Sequence, residues 1–374
     1  MSEAVLIYAA SEQDANLYYA SRFWAPDPFV FTQINGRKIL LMSDLEVDRA
    51  KTESSVDEVL SFSKLQEKAK AASSGPVGFM EVLDFLFKER GVRELKVPAS
   101  FPVSAADSLR AKGYALAVGK EPFFPERMVK TPEEVAAIRE TIRQTEQAIR
   151  SAVDLIAQSE IHGDELWLKG RPLTSELIRK TLHLTLMGSD CLAKETIVAG
   201  GTQACDPHCI GFGPLKAHWP IVLDVFPVSM KSRYYADISR TVVRGTPSEK
   251  VKTMHRLVSE GQEIGFKMLK PGVDGKTVHE AILAHFEKNG FHTGELGGRM
   301  QGFFHGTGHG LGLEIHEAPR VSSVSDVMRA GHLVTVEPGL YYLDAGGIRI
   351  EDDVLITPTG CEVLSSFPRT LVLA

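Results

Sequence analysis

Phe303-Phe304-His305-Gly306-Thr307-Gly308-His309-Gly310-Leu311-Gly312 carries four glycines and two histidines in ten residues. That glycine density excludes a regular helix and lets backbone come close to a site. The stretch reads as a loop that presents imidazoles. His316 follows at once, in Glu314-Ile315-His316-Glu317-Ala318-Pro319-Arg320. A lone histidine of this kind is usually a packed one, so its neighbours along the chain have to decide.

Those neighbours are carboxylates in apolar strands. Downstream stand Leu333-Val334-Thr335-Val336-Glu337-Pro338-Gly339 and Gly347-Ile348-Arg349-Ile350-Glu351-Asp352-Asp353-Val354. Upstream stand Trp219-Pro220-Ile221-Val222-Leu223-Asp224-Val225-Phe226 and Tyr234-Tyr235-Ala236-Asp237-Ile238-Ser239-Arg240-Thr241. A carboxylate buried in such surroundings is costly unless a cation or an arginine compensates it. Arg349 precedes Glu351 by two residues, so on one strand both face the same side and the guanidinium can orient a ligating carboxylate.

The carboxylates repeat. Glu337 lies 113 residues after Asp224, and Glu351 lies 114 after Asp237. Thr131-Pro132-Glu133-Glu134 is a helix start with a capping box and a proline at the first helical position. Val135, Ile138, Ile142, Ile149, Val153 and Ile156 then mark a long amphipathic helix. Thr246-Pro247-Ser248-Glu249 is read as the second copy of that start, opening a helix that ends near Lys270-Pro271-Gly272. Each half continues with a further helix, Thr174 to Met187 and Thr277 to Lys288. Strands follow, Pro220–Phe226 and Tyr234–Val243, then His332–Val336 and Gly347–Ile356.

Two aspartates, two glutamates and one histidine are what a pair of hard divalent ions requires, roughly 3.5–4 Å apart, with carboxylates bridging them. Oxygen-rich ligation with one imidazole suits Mn²⁺ or Co²⁺, and also Zn²⁺, Fe²⁺ or Mg²⁺. Cys205 and Cys209 flank His208, but no further ligands stand at a spacing that would complete a structural zinc site. All four cysteines are expected to be reduced thiols.

In this order and spacing, Phe304–Gly312, Glu337-Pro338-Gly339 and Arg349-Ile350-Glu351-Asp352 resemble the pita-bread metallopeptidases. That family includes Xaa-Pro aminopeptidases, prolidases and methionine aminopeptidases. The resemblance implies an α+β fold, with a pseudo-twofold pita-bread domain over residues 127–374. Before it stands a smaller mixed α/β domain of creatinase N-terminal type over residues 1–126. It implies two divalent ions, Mn²⁺ first and Co²⁺, Zn²⁺ or Fe²⁺ as alternatives. Their ligands would be Asp224, Asp237, His309, Glu337 and Glu351, with Asp237 and Glu351 bridging. Glu337 would also act as general base toward a bridging hydroxide. His208 and His316 would hold substrate and the tetrahedral intermediate. His305, Arg320 and Tyr341 would contact substrate, and Arg349 would support the ligands. Arg320 follows His-Glu-x-Pro, where prolidases place an arginine on the dipeptide's carboxylate.

The implied reaction is cleavage between an N-terminal residue and proline, in dipeptides or longer peptides. Methionine-aminopeptidase-like or creatinase-like hydrolysis on the same fold, and a non-catalytic peptide-binding relative, are the alternatives. The resemblance, through an N-terminal domain of this type, also implies a homodimer. One departure stands out. The family usually has Asp-x-Gly at its first ligand, whereas this chain reads Asp224-Val225-Phe226, and Asp237 comes two residues later than usual. A longer turn around Met230–Arg233 would absorb the difference and leave Asp237 on its face.

The remainder of the chain agrees with this assignment. Val5–Ala9, Phe29–Phe31 and Arg37–Met42 read as strands, the last two joined by an Asn35-Gly36 turn, and Phe79–Arg90 reads as a helix. With 374 residues, 43% hydrophobic and a net charge of −6, the chain has no electrostatic footprint for nucleic acid or an anionic membrane. The N-terminal residues lack a signal-peptide pattern and no stretch is apolar enough to span a bilayer, so a cytoplasmic location is expected.

Overall fold

The computed structural model describes residues 2–373. It divides into two compact units, one ending at Arg127 and the other beginning at Met128.

The first unit is built on a six-stranded sheet. Its strand order is Glu58–Ser61, Arg37–Met42, Phe29–Ile34, Ser2–Ala9, Val92–Val97 and Ala115–Val118. The central strands are antiparallel and the outer ones parallel. Asn35 and Gly36 both have positive φ, 50° and 81°, the geometry that lets a two-residue turn match strand twist. Side chains alternate between two cores. Leu6, Val30 and Leu41 pack with the helices Phe79–Glu89 and Val103–Ala111. Ile7, Phe31 and Leu40 pack with Ala15–Ser21 and Val47–Glu53.

The second unit opens with the helix Pro132–Ala157. Thr131 Oγ1 accepts the Glu134 N–H at 3.3 Å, and the Glu134 carboxylate accepts the Thr131 N–H at 2.9 Å. Ile138, Ile142, Ile149 and Ile156 are buried along one stripe. The second long helix is Glu249–Met268. Its cap is Ser248, whose hydroxyl accepts the Val251 N–H at 3.2 Å. Thr246-Pro247 is therefore not a copy of the first cap, because Ser248 offers a nearby hydroxyl acceptor that captures the helix start. The shorter helices run Ser175–Met187 and Gly275–Lys288.

Two sheets lie with these helices. One orders Ile197–Gly200, Ile221–Val225, Ile238–Arg244 and Val372–Leu373. The other orders Glu317–Val321, Gly308–Gly310, Leu333–Val336, Asp352–Ile356 and Cys361–Val363. Each half has its own principal hydrophobic core. Two readings need correction. The strand expected from Gly347 to Ile356 is broken at Ile350-Glu351: Gly346–Arg349 pairs back on Gly339–Tyr342, and Asp352–Ile356 pairs with Leu333–Val336. The strand expected from Tyr234 starts at Ile238. The expected longer hairpin between Asp224 and Asp237 is present: Val228 bridges Tyr235 in the register of the main ladder, and the chain turns at Met230–Arg233. Val228–Ser229 also pairs on its other edge with Cys191–Leu192.

Buried polar bonds tie the halves together. Arg240 pairs with Asp352 at 2.7 Å, both almost fully buried, and also donates to the Glu351 carbonyl at 2.7 Å. Gln262 donates to the Val336 carbonyl at 3.0 Å and to Asp352 at 2.9 Å. Among the described residues no helix is long and apolar enough to cross a membrane.

Candidate functional site

The strand ends bring the carboxylates together. Asp224 is the penultimate residue of Ile221–Val225, and Asp237 immediately precedes Ile238–Arg244. Glu337 immediately follows Leu333–Val336, and Glu351 immediately precedes Asp352–Ile356. His309 is the middle residue of Gly308–Gly310, so the glycine-rich stretch is in part a strand and not wholly a loop. The glycine at 308 has a steric reason: a Cβ there would lie 1.9 Å from the Thr335 carbonyl oxygen. All five side chains line one cavity of about 830 Å³.

Ligand atoms of Asp237, His309 and Glu351 lie within 4.8 Å of one another. His309 Nε2 is 3.5 Å from Glu337 and 3.7 Å from Asp237. Its Nδ1–H donates to the Gly310 carbonyl at 3.1 Å, which leaves the Nε2 lone pair directed at the carboxylates. Burial, then the neighbouring His316, pulls the His309 pKa down to about 3, so the ring is neutral.

The carboxylates are under electrostatic stress. Burial and the nearby acids Glu351, Asp224, Asp353 and Glu337 push Asp237 well above the ordinary range. Burial, then Glu351, does the same to Glu337. Glu351 is pushed up to about 8 by burial and by Asp224, with Arg349 and a Ser239 hydrogen bond opposing. Asp224 Oδ1, Asp237 Oδ1 and Glu351 Oε1 are buried and have no hydrogen-bond partner among the described residues. Buried polar oxygens are ordinarily satisfied. A concentration of orphaned anionic oxygens facing one neutral imidazole nitrogen fits divalent cations.

Arg349 organises the surroundings. It is buried and donates to Asp224 at 2.6 Å, Ser239 at 3.1 Å and Tyr341 at 3.0 Å. A 3.4 Å contact reaches the Pro207 carbonyl, just before His208. Ser239 in turn donates to Glu351 at 2.9 Å. Tyr341 is fully buried and does not line the cavity. Its hydroxyl accepts from Arg349 and donates to His305 Nε2 at 2.8 Å. The expected substrate contact for Tyr341 is thus replaced by a supporting one. His305 Nδ1–H donates to the Gly306 carbonyl at 2.8 Å, so both ring nitrogens are engaged within the protein while the ring borders the cavity.

His208, His316 and Arg320 also line the cavity. The His316 ring stands perpendicular to that of His309, with centroids 4.3 Å apart. It precedes the strand Glu317–Val321 and is exposed, not a core histidine. No hydrogen bond from the Arg320 guanidinium is present among the described residues, so its donors are available to a ligand. Phe226, at the position where the resemblance leads one to expect glycine, contributes to the cavity wall.

Sequence reading missed Ser239 and Asp353. Asp353 is fully buried and accepts the Asp237 N–H at 3.0 Å. Each stands two residues after a candidate ligand, and that period-two spacing was the available signal.

A model of metallopeptidase family M24 matches residues 136–358. The Xaa-Pro dipeptidase of Pyrococcus horikoshii is 30% identical over 312 residues, 82% of this chain and 83% of that protein. The Xaa-Pro dipeptidase of Pyrococcus furiosus is 31% identical over 249 residues, 66% and 65% of the two chains. Among solved structures, the prolidase from Pyrococcus horikoshii OT3 superposes with a TM-score of 0.80 at 26% identity, covering 99% of this chain and 95% of that one. The X-Pro aminopeptidase from Thermotoga maritima MSB8 superposes with a TM-score of 0.82 at 26% identity, covering 99% and 97%.

Proposed function

We propose that this chain, which belongs to metallopeptidase family M24, hydrolyses the bond between an N-terminal residue and a following proline. The observation that carries the reading is the set of orphaned buried oxygens of Asp224, Asp237 and Glu351 beside a neutral His309. In this reading Asp224, Asp237, His309, Glu337 and Glu351 would hold two divalent ions. Four carboxylates and one imidazole suit Mn²⁺, with Co²⁺, Zn²⁺ and Fe²⁺ as alternatives. Once bound, such ions acidify water and polarise a carbonyl.

The chain's own groups do the rest. Glu337 stands on the cavity wall beside His309 and is the general base: it takes a proton from the attacking water and returns it to the leaving proline nitrogen. His208 and His316 face the cavity from separate segments and hold the carbonyl oxygen as negative charge develops on it. Arg349 holds the Asp224 carboxylate by its ion pair and, through Ser239, orients Glu351. Arg320, with its donors free, takes the carboxylate of a dipeptide by a bidentate contact. The ring of His305 and that of Phe226 bound the space for the substrate side chains. A homodimer is the assembly that the resemblance implies, and a cytoplasmic setting suits four unpaired thiols.

The deciding experiment is hydrolysis of Ala-Pro and of Ala-Pro-Ala by metal-stripped protein, with and without Mn²⁺. Mn²⁺-dependent cleavage of the dipeptide supports a dipeptidase with Arg320 as its clamp. Preference for the tripeptide makes it an Xaa-Pro aminopeptidase. Absence of cleavage of both by protein shown to bind Mn²⁺ overturns the proposal.

A further inference from the structure

The two halves present their inner carboxylates differently. In the second half the ladder runs to Val336↔Asp352, so the next residues outward, Glu337 and Glu351, stand across from each other. In the first half the ladder pairs Asp224 with Ser239 and Val225 with Ile238, and the hairpin keeps that register at Val228↔Tyr235. Asp237 stands between these pairs, opposite Phe226, and its N–H is not given to that neighbouring strand. Each half is instead braced by the other. The Glu351 N–H donates to the Ser239 carbonyl at 3.0 Å, and the Asp237 N–H donates to Asp353 Oδ2 at 3.0 Å. In the first case a backbone oxygen serves. In the second a side chain must reach across, and Asp353 is fully buried to do so.

We infer that Asp353 is a positioning residue: by accepting the Asp237 N–H it sets the direction of the Asp237 side chain and so completes the site for the second of two divalent ions. A peptide N–H held at one point fixes the rotation of the Ala236–Asp237 peptide and hence the Cα–Cβ vector of Asp237. Without that acceptor the N–H is buried and unpaired, and the peptide turns to find another partner. The inference rests on the metallopeptidase reading and deepens it. It assigns Asp353 neither a substrate contact nor a proton transfer.

The test is Mn²⁺ titration of metal-free full-length protein by calorimetry, with bound metal counted by elemental analysis. Wild type is expected to take two ions. Asp353→Ala should keep the first and weaken the second about 10- to 100-fold, the usual cost of losing an outer-sphere partner. Asp353→Asn, whose amide oxygen still accepts, should stay within about threefold of wild type on the same scale. If Asp353→Ala does not fold by circular dichroism, Asp353→Ser replaces it, being small and polar but one bond too short to reach. Equal weakening in Asp353→Asn would show that charge and not the hydrogen bond matters, and overturns the inference. Unchanged binding in Asp353→Ala or Asp353→Ser also overturns it. A wild type that takes up fewer than two ions removes the underlying reading, and this inference with it.

Discussion

Arg349 and Glu351 show how much single residues decide here. Glu351 gives one oxygen to Ser239 and leaves the other unpartnered in the interior. Glu351→Ala should lose more activity than the ~100-fold that loss of an outer partner costs. It should also bind less than the wild-type amount of Mn²⁺, which mass spectrometry of the dialysed protein checks. Tyr341→Phe removes the oxygen that joins Arg349 to His305. A fall in kcat of about tenfold is expected, with Mn²⁺ content retained, since an outer-sphere contact and no ligand is lost; steady-state kinetics with metal analysis reads both. The pH response of metal-free protein has a definite sign. Glu351 has an ordinary value of 4.5 and is pushed up to about 8 in the fold. Between those values the folded chain keeps a proton that the unfolded chain has released, so stability falls as pH rises. Asp237 and Glu337, raised in the same direction, add to it. Thermal melts of chelated protein from pH 5 to 9 should therefore show Tm declining, and calorimetry in buffers of different ionisation enthalpy should show protons released as Mn²⁺ binds. A Tm that rises across that range contradicts the assignment of a protonated cluster.

At the level of elements, the local rules were most legible where one residue type has one use. Thr131 and Glu134 form the capping box that the sequence announces, and Thr131→Ala should cost about 1 kcal/mol by urea denaturation. An unchanged midpoint would mean that tertiary packing alone holds that helix end. The Asn35-Gly36 turn and the strand Arg37–Met42 were equally plain. The expected α+β pita-bread architecture, with its preceding mixed α/β domain, is borne out by the solved relatives. What was illegible depends on contacts between segments far apart in the chain. Ser248 displaced Thr246 as a cap because two suitable caps lay within one turn. The break at Ile350-Glu351 could not be read from an unbroken apolar alternation, since it arises where a strand passes from one partner to another. Tyr341 looked like a surface for substrate, and only the packing of Phe304, His305 and Arg349 around it shows that it faces inward. The ligand candidates were visible because buried acids in apolar strands have so few other uses. Their braces were not, because a buried Asp353 looks in sequence like one more acid in a run.

For the molecule as a whole, the two units carry separate hydrophobic cores, and the candidate ligands all belong to the unit that begins at Met128. Stripping the metal should thus lower one calorimetric unfolding transition and leave the transition of the N-terminal unit within error of its original temperature. Equal displacement of both would show that the units unfold as one. Within the catalytic unit, Asp224 and Asp237 come from one half, and His309, Glu337 and Glu351 from the other. Neither half retains enough donors to close a two-ion site by itself. Bound metal then serves as a census: a truncated, half-folded or mis-docked chain in a preparation is counted as protein but carries no full complement of metal. Specific activity expressed per pair of ions, and not per milligram, is the figure that should stay constant from one preparation to the next.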